Sequence, residues 1–298
     1  MPSEDVVPFE DVVARVWPGE QARVEVLGGG ITNHNLKVTL SGGRAFVLRI
    51  TGRDTERLGI DRRVEHDASL AASAVGVGPE VVDFVQPEGY LVTKFIEGSV
   101  VPVEQMRDPE TIRRVATALR AVHNGPALAR RFDPFQIVEE YRSTAFARGA
   151  AVPEAYARAR QVARRIAAAR GPVPERPCHN DLLNANFIDD GTLIRIVDWE
   201  YAGNGDVFFD LANFSVNNQL DDESRRLLLG AYFGSVRPAD ERALDLMRFM
   251  SDFREAMWGV VQTAISELDF DFAGYAAEHF ERLDRTAVDP AFLFALGA

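Results

Sequence analysis

The sequence predicts an α+β fold of two lobes: a strand-dominated N-lobe over residues 1–96 and a mostly helical C-lobe over residues 97–298. Three observations carry this reading. A chain of 298 residues with 46% apolar side chains buries a substantial core and is long enough to divide around a cleft. Short runs rich in Val, Leu and Ile and bounded by glycine fill the first third. Helical periodicity, without repeats or a long Pro/Gly/Ser linker, dominates the remainder.

In the N-lobe, RVEVLGGG and NLKVTL read as strands, followed by the tight turn SGGR and the strand AFVLRI. IDRRVEHDASLAASAV reads as a helix ending near Gly76, and PEVVDFV and YLVTKFI as two further strands about the turn QPEG. The expectation is an antiparallel meander with one inserted helix, joined to the C-lobe through Lys94 to Gly98. The C-lobe opens on DPETIRRVATALRAVHNG, with Asp108 at the cap, Pro109 in the first turn and Gly125 at the end. Ile112, Val115, Ala116, Leu119 and Val122 share one face of that helix. Further helical regions are expected over 135–170, 222–232 and 239–268, with a short strand-rich island at 187–198.

A net charge of -12 repels phosphate backbones, which argues against nucleic acid as a partner and suits a cationic small molecule. The single cysteine, Cys178, excludes an internal disulfide framework, and the five histidines are too scattered for a zinc site. The N-terminus is acidic, and no apolar run approaches the roughly 18 residues of a membrane span. A soluble cytoplasmic protein, monomer or homodimer, is expected.

CHNDLLNANFIDDGTLIRIVDWEYA is the most informative segment. His179, Asp181 and Asn186 stand in the order H-x-D-x-x-x-x-N of a kinase catalytic loop. NFI and LIRIVD flank the turn DDG, a hairpin that returns Asp198 to the side of Asn186. Phosphoryl transfer needs a carboxylate to orient the acceptor hydroxyl and take its proton, and oxygen ligands that hold magnesium on the phosphates of ATP. Asp181 is the candidate base. Asn186 and Asp198 offer oxygens suited to a hard cation, and His179 is assigned to the catalytic group as a brace for the loop.

The other half of such a site is expected in LGGGITNHNLKV, whose Gly28–Gly30 turn lets backbone N–H groups approach a triphosphate. Gly29, Gly30, Thr32 and Asn33 are the nucleotide-binding candidates there. Arg49, in AFVLRI, stands where a kinase strand carries its phosphate-holding lysine, and Glu65 on the next helix is its expected partner.

GGGITN, VLRITG, HNDLLNANF, VDWEYAGN followed by DLANF, and WGVVQTAISELDFDFAGYAAEHF together resemble the choline/ethanolamine kinases, within the aminoglycoside-phosphotransferase-like group of protein-kinase-like folds. The resemblance runs from about residue 27 to 280. It implies an ATP- and magnesium-dependent kinase acting on the hydroxyl of an amino alcohol, choline or ethanolamine first, with thiamine, an aminoglycoside, a sugar or homoserine as alternative acceptors. A catalytically silent nucleotide-binding protein of the same fold is the other alternative. By position it implies Asp181 as base, Asn186 and Asp198 as magnesium ligands with Glu200 near the metal, and Arg49 on the ATP phosphates. It further implies Asp210 as a structural brace and Tyr201, Trp258 and Phe272 around the acceptor, where aromatic faces would meet a quaternary amine. Three positions depart from the pattern: Val261 replaces a tryptophan, Phe272 a tyrosine and Asn217 an acid.

Overall fold

The computed structural model describes residues 9–28, 33–51, 59–266 and 268–297. Five strands, β1 (Ala22–Leu27), β2 (Asn33–Leu40), β3 (Ala45–Thr51), β4 (Val81–Val85) and β5 (Tyr90–Lys94), form an antiparallel sheet in the order β1-β2-β3-β5-β4. The expected meander is therefore broken once. The connection through helix α2 (Arg62–Ala74) sets β5 beside β3 and leaves β4 at the edge. Burial explains the choice: Tyr90 to Thr93 of β5 are all buried, as an interior strand requires, whereas β4 is largely accessible. Helix α1 (Phe9–Val16), which the sequence reading did not resolve, inserts Val12 and Val13 against Leu36, Val38, Leu48 and Val92.

Asp61 caps α2 by accepting from the backbone of Arg63 and Val64, and Ala68 and Ala72 on its inner face join the larger core of the helical lobe. Beyond β6 (Ser99–Val100), helix α3 (Pro109–His123) buries all five residues of its expected face. Asp108 stands at its N-cap but makes no side-chain capping bond.

The expected single region 135–170 is two helices, α4 (Pro134–Ala147) and α5 (Ala155–Arg170). Gly149, with φ of 78°, and Pro153 break the helical path between them. A two-stranded sheet of β7 (Arg176–Cys178) and β10 (Gly203–Gly205) encloses the hairpin of β8 (Phe187–Asp189) and β9 (Ile194–Ile196).

Helices α6 (Val207–Asn217), α7 (Asp222–Phe233), α8 (Pro238–Ile265), α9 (Phe272–Ala287) and α10 (Pro290–Leu296) complete the lobe. Buried residues run along most of the 28-residue α8, which packs against α4, α6 and α9. None of the described helices is long and apolar enough to cross a membrane.

Two glycines fix close approaches that position the site. A Cβ at Gly98 would collide with the carbonyl oxygen of Asp189, so the passage between the lobes lies directly on the hairpin. A Cβ at Gly259 would sit 3.0 Å from Cδ1 of Tyr275, so the glycine after Trp258 lets α9 close on α8.

Candidate active site

Helix α6 builds the loop that carries Asp181. The Asp210 carboxylate accepts from the backbone N–H groups of His179 and Asn180 at 2.8 and 2.7 Å, and lies 2.9 Å from Nε2 of His123. Burial pushes that carboxyl up, but the His123 and loop contacts outweigh it and hold Asp210 below its ordinary range. One turn on, Asn213 accepts from the Leu182 N–H at 2.5 Å. Asn180 takes a left-handed φ of 68°, tolerable for asparagine, and its side chain donates to the Tyr201 carbonyl at 3.1 Å.

His179 is fully buried and links the loop to the hairpin. Its Nδ1 accepts from the Asp181 N–H at 3.2 Å, which leaves Nε2–H to donate to the Val197 carbonyl at 2.9 Å. Burial lowers its pKa, consistent with that neutral tautomer.

The hairpin brings Asp198 back to Asn186 through the bond from the Val197 N–H to the Asn186 carbonyl, at 3.0 Å. Asn186 donates Nδ2 to the Asp181 carbonyl at 2.9 Å, a bond that does not use its amide oxygen. Asn186, Asp198, Arg49 and Glu65 line one cavity of about 410 Å³ between the sheet and the hairpin, with Phe95 and Ile96 also in its lining. That volume is in the range of small-ligand and cofactor pockets. The donor set fits a hard divalent cation: an amide oxygen and a carboxylate, with room for phosphate oxygens and water.

Arg49, Glu65 and Asp198 of this lining belong to a largely buried charge cluster. Arg49 places Nη2 at 2.5 Å from Asp198 and 3.0 Å from Glu200, and Nε at 2.9 Å from Glu65 in an ion pair without hydrogen-bond alignment. Burial works against the guanidinium charge, but Asp198, Glu65 and Glu200 raise its pKa well above the ordinary value. Arg62 bridges Glu65 at 2.6 Å and Glu200 at 3.3 Å and donates to Asn33 at 3.0 Å. Asn33 in turn donates to Glu200 at 2.9 Å. Burial and the neighbouring Asp198 push the Glu200 carboxyl up, against Arg49.

A second cluster surrounds Asp181. Arg254 of α8 places Nη1 at 3.1 Å from Asp181 Oδ1 and also bonds Glu255, whose other oxygen accepts from Tyr275 OH at 2.8 Å. Burial pushes the Asp181 carboxyl up to about 7; Arg254 opposes the rise, and Glu255 and Asp198 add to it. Aromatic rings wall this cluster. Trp258 donates Nε1–H to Tyr201 OH at 3.2 Å and packs edge-on against Phe272 and Tyr275, each 5.8 Å away between ring centroids.

The structure thus brings together His179, Asp181, Asn186 and Asp198, the Arg49–Glu65 pair with Asn33 and Glu200, and Tyr201 with Trp258 and Phe272. Gly29, Gly30 and Thr32 lie outside the described residues. The sequence reading missed Arg62, Asn213, Arg254, Glu255 and Tyr275. Arg62 and Asn213 were within reach, as i,i+3 neighbours of Glu65 and Asp210 on one helix face. Nothing local marks Arg254 or Glu255, since their meaning comes from where α8 crosses the loop.

A catalytic loop pinned to a helix, a hairpin that returns an aspartate to it, and a cleft beneath an antiparallel sheet define the kinase-like phosphotransferases. The chain belongs to the phosphotransferase enzyme family, whose model matches residues 23–250. It is accordingly an alcohol-acceptor phosphotransferase. LicA of Haemophilus influenzae is 26% identical over 86% of this chain and 76% of its own length. Ethanolamine kinase 2 of Rattus norvegicus is 27% identical over 89% of this chain and 76% of its own. A solved choline/ethanolamine kinase family protein from Mesorhizobium loti superposes with a TM-score of 0.83, at 29% identity over 97% of this chain and 98% of its own. Aminoglycoside 2'-phosphotransferase-IIIa shares the fold, with a TM-score of 0.68 at 14% identity over 94% and 98% of the two chains.

Proposed function

We propose that the chain is an ATP- and magnesium-dependent kinase that transfers the γ-phosphoryl group to the hydroxyl of a small amino alcohol. The observation that carries this is the placement of Asp181: its backbone carbonyl holds Asn186, a lining residue of the nucleotide-sized cavity, while its carboxylate lies in the aromatic-walled cluster beyond. Asp181 is the base, accepting the acceptor's proton as the hydroxyl oxygen attacks. Its pKa of about 7 suits that task near neutral pH. Asn186 and Asp198 would hold magnesium, which would neutralise charge on the nucleotide phosphates. Arg49, paired with Glu65, would meet the same phosphates, and Glu200 pairs with both Arg49 and Arg62 beside Asp198.

Choline and ethanolamine are the first acceptors to test, because the relatives are kinases of these two alcohols. Solved proteins of the same fold hold AMP and GDP, which supports a nucleotide in the cleft. The test is ADP release from MgATP against a panel of amino alcohols, sugars and aminoglycosides. Release that depends on one amino alcohol supports the reading; release only with a sugar or antibiotic moves the enzyme to another acceptor class, and none with any alcohol removes it.

A further inference from the structure

Arg254 is 1% exposed, and its guanidinium carbon stands 4.5 Å from the centroid of the Tyr201 ring. This is the geometry of a cation on an aromatic face. Nη1 is used, on Asp181 and Glu255, whereas Nε and Nη2 are buried without a hydrogen-bond partner. Buried guanidinium donors without acceptors are costly, so the three N–H groups on these two nitrogens stand ready for oxygen atoms.

A quaternary ammonium has no N–H to donate and depends on an unoccupied π-face. On Tyr201 that face already carries a charge of the same sign. An amine that keeps its N–H groups is treated differently, since Asp181 and Glu255 outnumber the single arginine between them.

We propose that Arg254 is a specificity-determining residue: it fills the cation position on Tyr201, excludes quaternary ammonium acceptors, and directs oxygen atoms of an N–H-bearing acceptor to its Nε and Nη2. The proposal rests on the acceptor pocket lying at Tyr201 and Trp258, and it selects the ethanolamine kind of alcohol over the choline kind.

Calorimetric titration with tetramethylammonium chloride tests it without nucleotide or turnover. The wild-type protein shows no saturable binding. Arg254→Met gains affinity of at least about tenfold, the scale of a desolvated cation–π contact, and Arg254→Lys behaves as wild type. Should the Met variant lose its native circular dichroism, the double variant Arg254→Met/Glu255→Gln, which removes the buried ion pair as a unit, takes its place.

Saturable wild-type binding that Tyr201→Leu abolishes overturns the proposal. So does a folded charge-removed variant with no gain, which is the outcome if Arg254 only braces Asp181. Failure of ADP release with every alcohol would remove the kinase reading and leave this titration standing.

Discussion

Two buried charge clusters flank the catalytic loop, and they are built on different plans. In the first, Arg49 and Arg62 answer Glu65, Asp198 and Glu200, and the group opens onto a cavity lined by Asn186. In the second, Arg254 alone stands between Asp181 and Glu255 inside a wall of aromatic rings. Each holds one more carboxylate than guanidinium, so each favours cationic company, but of different kinds. The open cluster presents hard oxygens suited to a metal and its phosphates. The closed one holds a carboxylate near neutrality and offers rings, suited to an organic acceptor.

The comparison is most sharply broken at Asp198. Asp198→Ala is expected to bring metal-dependent turnover below detection and to weaken MgATP binding in calorimetry; retained turnover would place the metal elsewhere. The pH profile comes next. Because Asp181 must be ionised to accept a proton, and burial raises it to about 7, kcat/KM should fall tenfold per pH unit below that value and level off above it. A profile flat down to pH 5 would contradict the assignment. The smallest effect is at the aromatic wall: Trp258→Ala should raise KM for the acceptor by a few-fold to about tenfold and leave that for ATP unchanged.

The first cluster was largely legible in the sequence, apart from Arg62; of the second, Asp181 and the rings of Tyr201, Trp258 and Phe272 were legible, and Arg254 and Glu255 were not. Asp181, Asn186 and Asp198 follow one another within a loop and a hairpin, so spacing alone groups them, and Arg49 and Glu65 lie on consecutive elements of the same lobe. The Asp181–Arg254 contact spans 73 positions, and it exists only because α8 crosses the loop with Gly259 letting Tyr275 close behind it. No local pattern encodes such a crossing. The same limit hid the order of β4 and β5, where pairing depends on burial of the whole strand, and the break at Gly149 and Pro153, which helical content on either side obscured.

The division of labour between the clusters is tested most directly by one variant read twice. Asp181→Asn should cost about 10²–10⁴-fold in turnover, the usual contribution of a positioned general base, while the dissociation constant for a non-hydrolysable MgATP analogue stays within about twofold of wild type. Wild-type turnover in that variant, or a loss of nucleotide affinity that matches the loss of rate, would contradict the account.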